Sequence, residues 1–219
     1  TVDAAVNKLT EKLEDAGVFV VYNSVVGNNT RRHISVEDCR GFALVNTYAP
    51  YVFVNNSDSK NAQMFTLIHE TVHLIIGASA GYAGDIGYEH DVTEAFCDKV
   101  AAEFLVPTRL LAEQWDCNIT KLSKKFKVSE LVIARRAHNT GLLSDEEYRN
   151  FYLRYKSNNV IRKKTAGGSF YLTSVKRVGR LFAIHVRNAV NNRQLSYTEA
   201  YRLTGLYGNT YNQFMTNNI

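Results

Sequence analysis

The chain has 219 residues, of which 45% are hydrophobic and 21% charged, the composition of an ordinary globular protein. No stretch approaches the roughly 20 consecutive apolar residues that a membrane-spanning helix requires, so we expect no membrane association. The three cysteines, Cys39, Cys97 and Cys117, are widely spaced and odd in number. This usage favours a reducing compartment over a disulfide framework and predicts a cytoplasmic protein.

The net charge of +5 conceals an asymmetry between the two halves of the chain. Residues 1–116 carry 8 Lys and Arg against 16 Asp and Glu, a net charge of −8, whereas residues 117–219 carry 18 against 5, a net charge of +13. Either the basic half binds an acidic partner, or the two halves neutralise each other across an internal interface. The asymmetry predicts a core over residues 1–116, with a helical basic region over residues 117–219 packed on it.

Hydrophobic periodicity predicts mixed helices and strands in the first half of the chain. The expected elements are a helix over residues 3–16, strands over residues 18–22, 41–45 and 51–54, a helix over Lys60–Ile76, and a second long helix that starts near Asp91 or Thr93 and ends before Pro107. The last two strands flank a short turn with Pro50 and read as a hairpin. Asn55 to Ser59 supply turn and N-cap residues before the Lys60 helix.

The second half reads as almost entirely helical. The expected elements are helices over residues 109–114, Ile119–Phe126, Glu130–Asn139 and 145–156, a strand over 169–172, a long helix over 174–190, and short helices over 197–203 and 210–215. The pair around Lys127-Val128-Ser129 has the spacing of a helix-turn-helix. The basic residues around it are Lys121, Lys124, Lys125, Lys127, Arg135 and Arg136. Such a pair can read DNA, and the same packing also serves as plain scaffold. The fold class is therefore α+β: a small sheet packed with a helix pair, followed by a helical basic half.

His69 and His73 lie four residues apart in the Lys60 helix, so both imidazoles can point at one metal ion. Glu70 is rotated toward the position left open for water, where a general base acts. The flanking residues are strongly apolar, and buried polar side chains are costly unless something pairs them. The pattern predicts one zinc ion per chain bound by His69 and His73, with Glu70 as the catalytic base.

A catalytic zinc site needs a third protein ligand. Glu94, at the start of the second long helix, would complete a His-His-Glu site, and Glu89, His90 and Asp91 are the alternatives. Asp98, one turn after Glu94, can accept a hydrogen bond from a ligand histidine and orient its ring.

Residues 65–74, Phe-Thr-Leu-Ile-His-Glu-Thr-Val-His-Leu, and residues 94–107, Glu-Ala-Phe-Cys-Asp-Lys-Val-Ala-Ala-Glu-Phe-Leu-Val-Pro, resemble the ImmA/IrrE metallo-endopeptidases of the gluzincin group. The departures are Cys97 where the family usually has alanine and Asp98 where it has asparagine. The resemblance implies a bacterial or phage regulatory peptidase that cleaves a helix-turn-helix repressor or antitoxin in a stress, phage or defence circuit.

Peptide hydrolysis also needs a donor for the developing oxyanion. Tyr82, Tyr88 and His90, between the two long helices, are the candidates nearest in sequence. The hairpin over residues 41–54 is expected to offer an edge strand to an extended substrate.

An alternative function is a zinc-containing sensor or binding module whose basic half binds nucleic acid and regulates transcription. A structural zinc site has four protein ligands and needs no base, so Glu70 favours the peptidase. Single-stranded DNA is the nucleic acid that we expect at the basic half.

Overall fold

The computed structural model describes residues 1–27, 29–78, 88–158, 170–217 and 219. In this part of the chain five strands and eleven helices are present, which confirms the α+β class. The strands are β1 (Phe19–Asn23), β2 (Val25–Val26), β3 (Asn29–His33), β4 (Gly41–Leu44) and β5 (Tyr51–Asn55). The helices are α1 (Val2–Asp15), α2 (Lys60–Ile76), α3 (Tyr88–Leu105), α4 (Thr108–Gln114), α5 (Ile119–Phe126), α6 (Glu130–Asn139), α7 (Asp145–Asn158), α8 (Phe170–Val178), α9 (Arg180–Asn191), α10 (Tyr197–Thr204) and α11 (Gly208–Asn217).

The main sheet has three strands in the order β1-β5-β4. Strand β5 runs parallel to β1 and antiparallel to β4, so the predicted hairpin is confirmed. The short antiparallel pair β2–β3 was not predicted. Its second strand reads Asn-Thr-Arg-Arg-His and has no alternation of apolar and polar residues, which is the signal that identifies a strand from sequence.

Successive side chains of a strand point to opposite faces, and this alternation defines an inner and an outer face of the sheet. The inner face carries Val20 and Val52, which are fully or almost fully buried, and packs against α1 and α2. Helix α2 begins after Ser59, whose side chain accepts a hydrogen bond from the backbone N–H of Ala62, and ends at Gly77 in the left-handed conformation. Its fully buried Leu67 alone contributes about 1.5–3 kcal/mol of hydrophobic stabilisation.

The first hydrophobic core continues beyond the sheet into α5 and α6. Leu122 and Ile133 are buried in the same cluster as Val20 and Leu67. The two helices have the predicted bounds, and Lys127 adopts a left-handed conformation between them. This core contains residues from both sides of residue 116, and the division of the chain at that residue stays a prediction.

A second hydrophobic core lies among α8 to α11, with Ala183 and Phe214 fully buried in it. It meets the sheet at β1, where the rings of Phe19 and Phe182 lie edge to face with centroids 6.4 Å apart. Gly179 lies so close to this strand that a Cβ there would be 3.0 Å from the carbonyl oxygen of Val20. The C-terminal helices therefore pack along the β1 side of the sheet.

Apart from shifts of one or two residues at the ends of other elements, three elements differ from the sequence predictions. The strand predicted over residues 169–172 is wrong for residues 170–172, which are helical in α8. Their aromatic and apolar side chains suit a strand, but they continue directly into the helix that packs on β1. The single helix predicted over residues 174–190 is broken at Gly179, whose φ of 83° ends α8. Helix α3 starts at Tyr88, earlier than predicted, because no Gly or Pro interrupts residues 88–93.

Among the described residues, no helix is both long enough and apolar enough to cross a lipid bilayer.

Candidate metal centre

Helix α2 presents the two histidines on one face, as their spacing predicts. The Nε2 atoms of His69 and His73 lie 3.2 Å apart, and only 2% of the His73 side chain is exposed. Two imidazole nitrogens that face each other this closely form the kind of paired donor set that binds a metal ion.

Glu94 approaches the two histidines from α3, which packs against α2. Its Oε2 lies 3.0 Å from His69 Nε2, and its Oε1 lies 3.2 Å from His73 Nε2. Ligand atoms of the three side chains all lie within 4.8 Å of one another. In a tetrahedral zinc site with metal–ligand distances of about 2.0–2.1 Å, neighbouring ligand atoms are about 3.3–3.4 Å apart. The spacing of these three residues therefore fits a zinc ion.

Asp98 lies one turn after Glu94 and contacts the other side of the His69 ring. The Nδ1–H of His69 donates a hydrogen bond of 3.0 Å to Asp98 Oδ1, so Nε2 is the ring nitrogen that faces Glu94 and His73. This hydrogen bond is the main cause of the lowered pKa of Asp98. Burial lowers the pKa of His69, but the Asp98 hydrogen bond and the neighbouring carboxylate charges outweigh it and raise the pKa overall. Asp98 thus orients the ring of His69.

Glu70 is buried beside this group, on the turn of α2 that faces β4. Burial raises its pKa to about 7, the charge of Glu94 adds to the increase, and the charge of His69 opposes it. Its Oε2 has no hydrogen-bond partner among the described residues. A buried carboxylate with a free oxygen and a pKa near neutrality is suited to accept and release a proton.

Gly41 forms the wall opposite Glu70, a contact that the sequence did not reveal. A Cβ at this position would lie 2.4 Å from Thr66 Cγ2, 2.8 Å from the carbonyl oxygen of Phe53 and 3.3 Å from Glu70 Cγ. Only glycine allows β4 to pass this close to α2 without a shift of the backbone.

Arg136 holds the C-terminal end of α3 and was also missed. It is almost fully buried and donates hydrogen bonds to the carbonyl oxygen of Val106, at 3.2 Å, to Thr108 Oγ1, at 2.6 Å, and to Glu103. The sequence places Arg136 among the basic residues around the α5–α6 pair, but its guanidinium is bound inside the protein and does not contribute to the exposed charge there. Its place between the buried Ile133 and Ala137 was the available signal.

The side chains of the remaining predicted site residues lie outside what the structure describes. Tyr82 falls in an undescribed segment, and the side chains of Tyr88, Glu89, His90 and Asp91 are not described. The oxyanion donor therefore stays a prediction.

Two family models match separate parts of the chain. The sequence model of the family described as IrrE N-terminal-like domain, peptidase family M78, matches residues 13–138, which end within α6 and include every residue of the candidate centre. A family described as a domain of unknown function, DUF8813, matches residues 178–217, which span the helices α9 to α11 of the second core. No curated protein and no solved structure matches the chain.

Proposed function

Because the chain belongs to peptidase family M78, the family of the IrrE N-terminal-like domain, we propose that it is a zinc-dependent endopeptidase of narrow specificity. M78 is a family of zinc metallopeptidases, and membership supports a metallopeptidase function for this chain. The proposal adds the metal, the roles of the residues and the substrate: a helix-turn-helix repressor or an antitoxin of a stress, phage or defence circuit.

The observation that carries the proposal is the convergence of His69, His73 and Glu94 beside a buried carboxylate that has a free oxygen. The three ligand atoms lie within 4.8 Å of one another. Glu70 follows His69 directly in the chain, and its Oε2 is unpaired among the described residues. A structural metal site would need a fourth protein ligand and no base.

Different residues of the chain are proposed to perform different tasks in peptide hydrolysis. A bound zinc ion supplies polarisation of the scissile carbonyl and a lowered pKa for a coordinated water. Glu70 accepts a proton from the attacking water while the water oxygen bonds to the carbonyl carbon. Glu70 then gives that proton to the amide nitrogen as the carbon–nitrogen bond breaks. Asp98 keeps the His69 ring in one tautomer and one orientation throughout.

Strand β4 is the element proposed to hold the substrate. It lies at the edge of the three-stranded sheet, and its first residue, Gly41, packs beside Glu70. An extended peptide that adds to this edge would pass the candidate centre with its backbone hydrogen-bonded to β4.

The direct test is mass spectrometry of the repressor or antitoxin encoded beside this gene after incubation with the zinc-loaded protein. We expect cleavage at one or a few bonds. Glu70→Gln should lower the rate by about 10²–10⁴-fold while zinc content and thermal stability are retained, because Glu70 is proposed as a base and not as a ligand. Glu37→Gln, an exposed glutamate, is the matched control. A Glu70→Gln variant that cleaves as fast as the control would remove Glu70 from the mechanism.

A further inference from the structure

The exposed edge of β4 is unusually apolar for an open strand. In the described part of the chain β4 pairs only with β5, so its other edge is free of backbone partners. Sheet proteins commonly protect such edges with charged residues or proline. The residues of β4 are Gly-Phe-Ala-Leu, with neither device. The apolar surface continues past the strand, since Val45 and Tyr48 are 39% and 94% exposed.

The two faces of β4 carry different side chains. Gly41 and the fully buried Ala43 point to the inner face, toward α2 and Glu70. Phe42 and Leu44 point to the outer face. The Phe42 ring stacks on Phe53, with centroids 4.9 Å apart, and is thereby held in place. The Leu44 side chain is 50% exposed. On the outer face, the free edge is therefore lined by the aromatic ring of Phe42, held by Phe53, and by the exposed aliphatic side chain of Leu44.

We propose that Phe42 and Leu44 determine specificity by selecting substrate segments with apolar side chains at alternate positions. This inference rests on the proposed function and on pairing of the substrate with β4. Directly opposed side chains on neighbouring strands have Cβ atoms about 4.5–5.5 Å apart, close enough for apolar contact. A charged side chain opposite Phe42 or Leu44 would lose hydration and gain no partner.

The position of β4 favours a substrate over a second copy of this chain. The strand has only four residues, and a stable dimer buries about 1,200–2,000 Å² in total, far more than one short edge supplies. The inner side of the same strand contacts Glu70, so a substrate segment that pairs with β4 would lie beside this proposed catalytic base. The outer face selects its side chains while the inner face leads to the candidate centre.

Binding to the zinc-loaded Glu70→Gln variant tests this inference without cleavage. The probes are two fluorescein-labelled peptides of about nine residues with the same composition. One has valine and phenylalanine at every second position with serine and threonine between them, and the other has the apolar residues in one block. Each is titrated by fluorescence anisotropy against variants that also carry Leu44→Glu or Leu203→Glu. Leu203, in α10, is equally 50% exposed and serves as the matched control.

We expect the alternating peptide to bind more tightly than the block peptide, and Leu44→Glu to weaken the alternating peptide about fivefold relative to Leu203→Glu. Leu44→Thr, which keeps a side chain suited to a strand, should give an intermediate loss. Equal binding of the two peptides, or equal affinities of the Leu44→Glu and Leu203→Glu variants, overturns the inference. Light scattering gives a third outcome that overturns the inference: a dimer that the Leu44→Glu substitution dissociates but that addition of the alternating peptide leaves intact. If the natural protein binds zinc and cleaves its partner but the Glu70→Gln variant binds both peptides equally, this inference alone is contradicted, whereas a protein that binds no zinc would contradict the proposed function.

Discussion

At the scale of single residues, the candidate centre depends on two residues that are not among its proposed metal ligands. Asp98 accepts the Nδ1–H of His69 and so directs Nε2 toward His73 and Glu94. Gly41 leaves room for Glu70 where any larger residue would displace β4. The two positions act differently: one fixes the orientation of a ligand ring, and the other fixes the distance between a strand and the base.

Replacing Asp98 with alanine should weaken zinc binding without unfolding the protein. Without the carboxylate, the His69 ring loses the hydrogen bond that sets its tautomer and orientation, and we expect zinc affinity to fall about 10–100-fold. The measurement is competition with a chromophoric chelator. Asp38→Ala, an exposed aspartate, is the control. Equal affinities of the two variants would show that Asp98 has no part in holding His69.

At the scale of elements, α3 must be held against α2 for Glu94 to reach the histidines. Arg136 of α6 binds the carbonyl oxygen of Val106 just beyond the end of α3, and it also binds Thr108 at the start of α4. One buried guanidinium therefore connects three helices. The fully buried Cys97 and Ala101 fill the inner side of α3 in the same region.

Arg136→Leu is expected to destabilise the protein by about 1–3 kcal/mol, since it leaves buried acceptors without a donor. The pair with Glu103 contributes little to this estimate because the Glu103 side chain is half-exposed. The free energy of unfolding is measured by urea titration. Arg135→Leu, the exposed neighbour in the same helix, should change it by less than about 0.5 kcal/mol. A loss of equal size in both variants would mean that the effect comes from net charge.

At the scale of the whole molecule, a buried glutamate joins the first helix to the C-terminal helices. Glu14 of α1 accepts a hydrogen bond of 3.0 Å from the backbone N–H of Leu181, 167 residues away, at the start of α9. Gly179, the N-cap residue of α9, offers no side-chain cap. Glu14 therefore caps a helix of the second core from the first core, and burial raises the pKa of its carboxyl group.

The contribution of Glu14 to stability should fall as the pH rises. Its pKa is higher in the folded protein than the ordinary glutamate value of 4.5, so the folded state binds the proton more tightly than the unfolded state. Glu14 therefore opposes folding increasingly as the pH rises from about 4.5 through its folded pKa. Glu14→Gln keeps an acceptor for Leu181 and removes the charge. The stability of this variant relative to the natural protein should rise between about pH 4 and pH 7. Urea unfolding at the two pH values measures this, with the exposed Glu11→Gln as control. A difference that shrinks with pH would contradict the assignment.

The basic half of the chain is the region that we propose as a nucleic-acid site, with single-stranded DNA as the first ligand to test. Lys124, Lys125 and Lys127 are exposed at the end of α5. Changing all three to glutamate should weaken binding and reduce the slope of log affinity against log salt concentration by about 3. Anisotropy with labelled single- and double-stranded oligonucleotides at about 50 and 200 mM salt measures this. Lys8→Glu with Lys12→Glu, on α1, is the control. Absence of binding at the lower salt would exclude the nucleic-acid role and leave the peptidase proposal intact.

Features that depend on residues close together in the chain could be predicted from the amino-acid sequence. The spacing of His69 and His73, the bounds of α2 between Ser59 and Gly77, and the β4–β5 hairpin all follow from local periodicity and from turn or capping residues. Glu94 was favoured as the third ligand because it lies in a predicted helix. The alternatives stayed open because the sequence does not show how that helix packs on α2.

Contacts between segments that are distant in the chain could be recognised only in the folded protein. The approach of Gly41 to Glu70, the burial of Arg136 beneath α3, and the break at Gly179 beside β1 join residues from different elements. No periodic pattern records such contacts, because each depends on how two elements pack and not on either element alone. For the same reason, Arg136 resembled a solvent-exposed charge in the sequence and is an internal donor in the structure.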